Sequence, residues 1–185
     1  NDAALTNPAN DSIVVSAATA TQVVITAAGS DFAAGGTTTL TVQVQDANGN
    51  LVTTDSTTNI TFTPTLSGTI TDVTTGTGDG SYGVVGGVET VTVSGGVATI
   101  VLTDTVAETF EVAITNDAAL TNPANDSIVV SAATASKVEI TGPGADFAAG
   151  ASTTLTVQVQ DTYGNLVTTD NATNITFTPT LSGTI

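Results

Sequence analysis

Residues 1–70 and 116–185 are the same sequence at a constant offset of 115 residues, without a gap, and twelve of the seventy positions differ. A repeat of that length decides what counts as a unit before any finer reading begins, and a period of 115 residues matches one compact domain. A unit of that size buries a core of its own. The repeat predicts three parts: residues 1–19 are the closing strand or strands of a preceding module, residues 20–134 a complete module, and residues 135–185 the opening strands of the next. Both ends cut through a copy, so the chain is expected to be a section of a longer array. It has no initiator Met and no signal peptide, as expected of a processed or excised segment.

Val, Ile and Thr dominate the chain, while Lys137 is its only basic residue. β-Branched residues favour strands, and the surface helix formers Glu, Lys and Arg are nearly absent. The class is therefore all-β. A net charge of -16 excludes the basic patch that nucleic acid requires and disfavours anionic membrane surfaces. There is no Cys, hence no disulfide and no thiolate metal site, and no run of the roughly 20 apolar residues that a membrane helix needs.

Within the complete module the strands announce themselves by alternation. Val23 and Ile25 recur as Val138 and Ile140, whereas Gln22 and Val24 become Lys137 and Glu139, so the first pair faces inward and the second outward. Residues 29–36 are a kinked connection with one buried aromatic, Phe32. Leu40, Val42 and Val44 alternate with Thr41, Gln43 and Gln45, and the strand ends in Asp46-Ala47-Asn48-Gly49-Asn50, where Asn-Gly suits a tight turn. The second copy keeps Asp161, Gly164 and Asn165 but changes the tip to Thr162-Tyr163. Ile60 and Phe62 form the next strand, stopped by Pro64. Residues 71–87, rich in Gly and Thr, read as the irregular part. Val91 and Val93 precede a Ser94-Gly95-Gly96 turn. Ala98, Ile100 and Leu102, then Phe110, Val112 and Ile114, supply further inward faces, Ile128-Val129-Val130 closes the module, and Ile13–Ser16 repeats that closing stretch as a short strand. About seven short strands separated by turn signals make a β-sandwich.

The runs Leu40-Thr-Val-Gln-Val-Gln-Asp-Ala-Asn-Gly-Asn50, Ile60-Thr-Phe-Thr63, and Gly96-Val-Ala-Thr-Ile-Val-Leu-Thr103 leading into Ala107-Glu-Thr-Phe-Glu-Val-Ala113 resemble the bacterial immunoglobulin-like repeat domains of invasin and intimin type. In that family an Ala-Gly step usually precedes the second aromatic, and here Glu108 stands in place of the Gly. The resemblance covers most of the module and implies tandem immunoglobulin-like β-sandwiches, arranged as rod-like arrays on cell surfaces, usually as adhesin stalks. These are framework motifs; they carry fold and name no ligand.

The inventory for chemistry is thin. With no His, Cys or Arg, serine- and cysteine-type nucleophilic triads and His-based metal chemistry are excluded, and the Asp residues fall mainly in turns. No catalytic and no cofactor-binding residue is assigned, and the chain is read as a non-enzyme. Calcium is the one metal considered: Asp31, Asp72 and Asp79 are candidate oxygen donors, although no Asp-x-[Asp/Asn]-x-[Asp/Asn]-Gly-x5-Glu loop is present, and solvated loop carboxylates are the favoured reading. Lys137 aligns with Gln22, so no isopeptide bond is expected. Asn-x-Ser/Thr sequons at Asn10, Asn59, Asn125, Asn171 and Asn174 matter only in a secreted setting.

The expected role is structural: a segment of an extracellular or cell-surface fibre, filament or adhesin stalk. Its partners are neighbouring modules and copies of the same protein, with strand exchange between copies as one route of assembly. Strands of 7–10 residues give roughly 30–40 Å of rod per module. The alternatives are a glycan- or protein-binding surface module acting through residues 71–87, and a surface-layer lattice protein. What the chain repeats intact is the joint between modules, centred on residues 16–21 and 131–136, and function is sought there.

Overall fold

The computed structural model describes residues 12–65, 69–78, 87–142 and 144–178, with backbone alone for residues 69–75 and 78. The described residues contain strands and no helix, and none is therefore long and apolar enough to cross a membrane as a helix. The fold is all-β. Among the described residues twelve strands run in chain order: β1 (Ala20–Ala27), β2 (Phe32–Ala33), β3 (Thr37–Asp46), β4 (Asn59–Pro64), β5 (Thr69–Thr75), β6 (Thr77–Gly78), β7 (Glu89–Thr92), β8 (Val97–Thr103), β9 (Thr109–Asn116), β10 (Asp126–Ser131), β11 (Lys137–Gly142) and β12 (Thr156–Gln160). One sheet has the order β1-β3-β8-β5, a second β2-β10-β9-β4-β7-β6, and β11-β12 form a separate pair.

The first two sheets face each other across a single core. Val23, Leu40, Val42, Val44, Ala98, Ile100 and Leu102 come from one side; Ile60, Phe62, Val91, Phe110, Val112, Ile114, Ile128 and Val130 come from the other. Every one of them sits in phase with the two-residue period of its strand, which is why the alternating sequence closes into a sandwich. The outer faces carry threonine. Thr41 and Thr99 pair hydroxyl to hydroxyl at 2.9 Å across β3 and β8, and Thr61 and Thr90 do so at 3.2 Å across β4 and β7.

Within residues 20–134 the expected strands are present, and three more accompany them: β2, β5 and β6. Residues 71–78 are thus largely paired backbone, against the irregular reading. Ile70 opposes Leu102 and Asp72 opposes Val101, with register shifts between Ile70 and Asp72 and between Val73 and Thr75. Each bulge inserts a residue and breaks the period of two, so alternation alone does not reveal this strand. The remainder of residues 71–87 lies mostly outside the described residues. β2 arises because the chain changes sheets after β1. Asp126 Oδ2 accepts from Gly29 N at 2.6 Å and Thr38 Oγ1 from Ser30 N at 2.6 Å, which holds the crossing, and β2 then pairs parallel with β10.

Residues 13–16 are not a strand, contrary to expectation. Ile13, Val14 and Val15 are more than four-fifths exposed, whereas their repeats in β10 pair with β9. A strand needs a neighbour for its backbone groups, and residues 13–16 pair with none among the described residues, whereas β10 lies between β9 and β2. The second copy differs likewise: Phe177 is 44% exposed, whereas Phe62 is 0% exposed in a strand flanked by β7 and β9.

Candidate functional site: the joint between repeats

The inward face of β3 runs Thr38, Leu40, Val42, Val44 and then Asp46. The period of two therefore places a carboxylate on the core side of the sandwich, at the end where the preceding segment enters. Asp46 is fully enclosed. An enclosed carboxylate requires donors, and here all of them are neutral. Oδ1 accepts from Asn48 N and Asn50 N, both at 2.9 Å, while Oδ2 accepts from Asn50 Nδ2 at 3.0 Å and from Ala18 N at 2.8 Å. The first three bonds form the β3–β4 turn. The last reaches out of the turn to the joint.

The second copy repeats the arrangement. Asp161, also fully enclosed, accepts from Tyr163 N, Asn165 N and Asn165 Nδ2, each at 2.9 Å, and from Ala133 N at 2.8 Å. Enclosure works to raise the pKa of Asp161, but the Asn165 amide and the backbone N–H groups of Ala133, Asn165 and Tyr163 outweigh it and draw the value down to about 2. For Asp46 the Asn50 amide, then the Ala18 and Asn50 N–H groups, hold the carboxyl well below the usual range. Both joints are therefore fastened by an ionised carboxylate. Ala17 and Ala20 of the first joint and Ala133 of the second pack against the sandwich core from its two ends.

At the second joint the contact spreads beyond the aspartate. Asn165 Oδ1 accepts from Ala107 N at 2.9 Å, and its Nδ2 donates to Thr105 O at 2.8 Å. One side-chain amide thus engages both edges of the β8–β9 connection of the preceding sandwich. Tyr163, at the tip of the same turn, lies against Gly35. Beside these contacts opens a cleft of about 510 Å³ lined by Ser131, Asn165, Leu166 and Thr168, and the first joint has a cleft of about 410 Å³ lined by the repeat-equivalent Ser16, Asn50, Leu51 and Thr53.

The repeat pattern points to residues 16–21 and 131–136, with Asp46, Asp161, Asn50 and Asn165 as turn formers only. Their second role was visible in the pattern: Asp46 falls in phase with Leu40, Val42 and Val44, which a solvated turn residue need not do. Of the calcium candidates, only Asp31 has a described side chain. Asp31 Oδ1 accepts from Val129 N at 2.8 Å beside β10, Asp72 lies in β5 at the edge of the other sheet, and Asp79 is outside the described residues. Among the described residues no group of three or more carboxylates converges as a metal site. Lys137 Nζ lies 2.8 Å from Glu139 Oε2 on the exposed face of β11.

No family model and no curated protein matches this sequence. Among solved structures the chain is similar to domains 5–6 of the S-layer protein SbsC, with 16% identity over 80% of this chain and 66% of that one and a TM-score of 0.44. It is similar to domains 4 and 5 of the same protein, with 14% identity over 62% of this chain and 53% of that one and a TM-score of 0.42. A β-glycosidase from Bacteroides vulgatus gives 13% identity, 62% of this chain, 14% of that one and a TM-score of 0.45. The chain spans about half to two-thirds of the S-layer fragments and a small part of the glycosidase. Likenesses this distant carry no argument about what the protein does, and the invasin and intimin resemblance rests on its motifs alone.

Proposed function

We propose that the chain is a structural tandem-repeat segment whose work is extension: successive immunoglobulin-like sandwiches, with residues 20–134 as one complete module, held end to end by a joint of fixed geometry. The observation that carries this reading is the same fastening at both joints, Ala18 N to Asp46 Oδ2 and Ala133 N to Asp161 Oδ2, each 2.8 Å. A floppy linker has no use for an enclosed carboxylate at its end, whereas a spacer that must keep its length does. A role as a fibre, filament or stalk segment at the cell surface or outside the cell follows from the repeat, the acidic Thr-rich composition and the absence of nucleophile-base pairs. The partners are neighbouring modules and further copies of the same chain.

The binding alternative was placed on residues 71–87, most of whose tip lies outside the described residues; among those described, the joint cleft is lined by Ala, Val, Leu, Ser, Thr and Asn, without the aromatic platform that sugar rings favour. Electron micrographs of the native assembly distinguish the readings. Threads with an axial repeat of roughly 30–40 Å are expected. A two-dimensional lattice would favour the surface-layer alternative, and compact unconnected particles would overturn both.

A further inference from the structure

Four of the twelve differences between the copies fall in two short stretches: Ala47-Asn48 against Thr162-Tyr163, and Gly36-Thr37 against Ala151-Ser152. The structure brings these stretches together across the joint, since the tip carrying Tyr163 meets the turn containing Gly35 of the preceding sandwich. That turn is rigid. Gly36 N donates to Ala33 O at 2.8 Å, Gly35 N to Asp104 O at 2.7 Å, and Ala34 N to Ser131 O at 2.8 Å. Gly35 has a φ of 82°, and a Cβ there would stand 2.6 Å from Cζ and 2.8 Å from Cε2 of Tyr163. The ring therefore lies over bare backbone, in a seat that only glycine leaves open. The same turn recurs at Gly150 with a φ of 85°, where a Cβ would meet nothing within 4 Å.

The turn of residues 161–165 thus holds the preceding sandwich at three places: Asp161 on Ala133, Asn165 on Thr105 and Ala107, and Tyr163 on Gly35. The first two are polar bonds made by residues that both copies share. The third is made by a residue that the copies do not share, and Asn48 in the same position has no ring to lay on a glycine turn. One anchor leaves a module free to swing and two leave it free to rock about the line joining them; the third removes the last rotation.

We propose that the tip residue of the β3–β4 turn, Tyr163 in one copy and Asn48 in the other, is the key that sets the stiffness of each joint, and that its seat is the glycine turn at Gly35 of the module before it. The partner surface is this chain's own preceding module. An array then carries stiff and compliant joints in an order written at one position per repeat. This rests on the reading of the chain as an array of jointed modules.

The chain has no Cys, so paired spin labels at Ser127→Cys in β10 and Thr141→Cys in β11 report the joint cleanly. In the otherwise unaltered 185-residue chain the pulsed-resonance distance distribution is expected to be a single narrow peak. Tyr163→Asn should broaden it about twofold or more, since domains joined by a small interface move by default. Tyr163→Phe, which keeps the ring, should stay narrow, and thermal unfolding of the sandwich should not move because Tyr163 lies outside its core. A narrow distribution for both the parent chain and Tyr163→Asn overturns the key and leaves the stiff joint standing. A broad Tyr163→Phe distribution overturns the assignment to the ring. A broad distribution in the parent chain overturns the stiff joint itself.

Discussion

Phe62 and Phe177 are the same residue in two copies, and the chain treats them differently: 0% exposed in the first and 44% exposed in the second. Truncating each to Ala compares identical chemistry in two environments within one molecule. Removing a fully buried Phe loses its transfer free energy and leaves a cavity, together about 3–5 kcal/mol. With an unfolding entropy of about 2.1 cal/mol/K per residue, a module of 115 residues loses about 12 °C in Tm for every 3 kcal/mol. Phe62→Ala should thus lower Tm by about 12 °C or more and consume much of a typical domain's stability of about 5–15 kcal/mol. Phe177→Ala, already half in water and outside the shared core, should cost under about 1 kcal/mol. Should Phe62→Ala fail to fold, Ile60→Val against Ile175→Val gives the same contrast at about 0.5–1.5 kcal/mol for the first and near zero for the second. Thermal and urea unfolding followed by far-ultraviolet circular dichroism measures both. Equal losses at the two positions would refute the reasoning, because they would mean that the second copy is as enclosed in solution as the first.

Three further outcomes follow from named residues. The carboxyl of Asp161 is held below its ordinary value, so the stabilisation it gives the joint is present above about pH 4 and is lost as the pH falls toward about 2; label distances across the joint should broaden over that window, and Asp161→Asn should remove the dependence. Gly96 has a φ of 76° and a Cβ there would stand 2.5 Å from Val52 O, so Gly96→Ala should lower stability by at least about 1–2 kcal/mol, and an unchanged Tm would contradict the strain. With Asp31 bonded to Val129 N and no carboxylate cluster among the described residues, chelation of divalent cations should leave the melting transition in place; a fall of several degrees would put a structural cation on this protein.

The sandwich was legible because its core obeys one rule. Leu40, Val42, Val44, Phe110, Val112 and Ile114 alternate without interruption, and all are buried. What escaped was pairing that breaks the rule or depends on distant chain. β5 carries two bulges, so its apolar residues are out of step. Ile13–Ser16 repeats the end of β10 but finds no strand partner among the described residues, which local pattern cannot register. The joint was located by comparing copies, but its chemistry was hidden by an economy of the chain, in which Asp161 and Asn165 form a turn and a fastening at once. Tyr163 looked like idle variation at a loop tip because its seat, Gly35, lies 128 residues away in sequence.

The central claim is that the joint keeps successive modules in line. Small-angle X-ray scattering from arrays of two, four and six repeats, each 115 residues long, tests it directly. A stiff joint makes the maximum dimension grow linearly, by roughly 30–40 Å per added repeat. Growth that falls away toward the square root of repeat number, as freely jointed modules would show, contradicts the account.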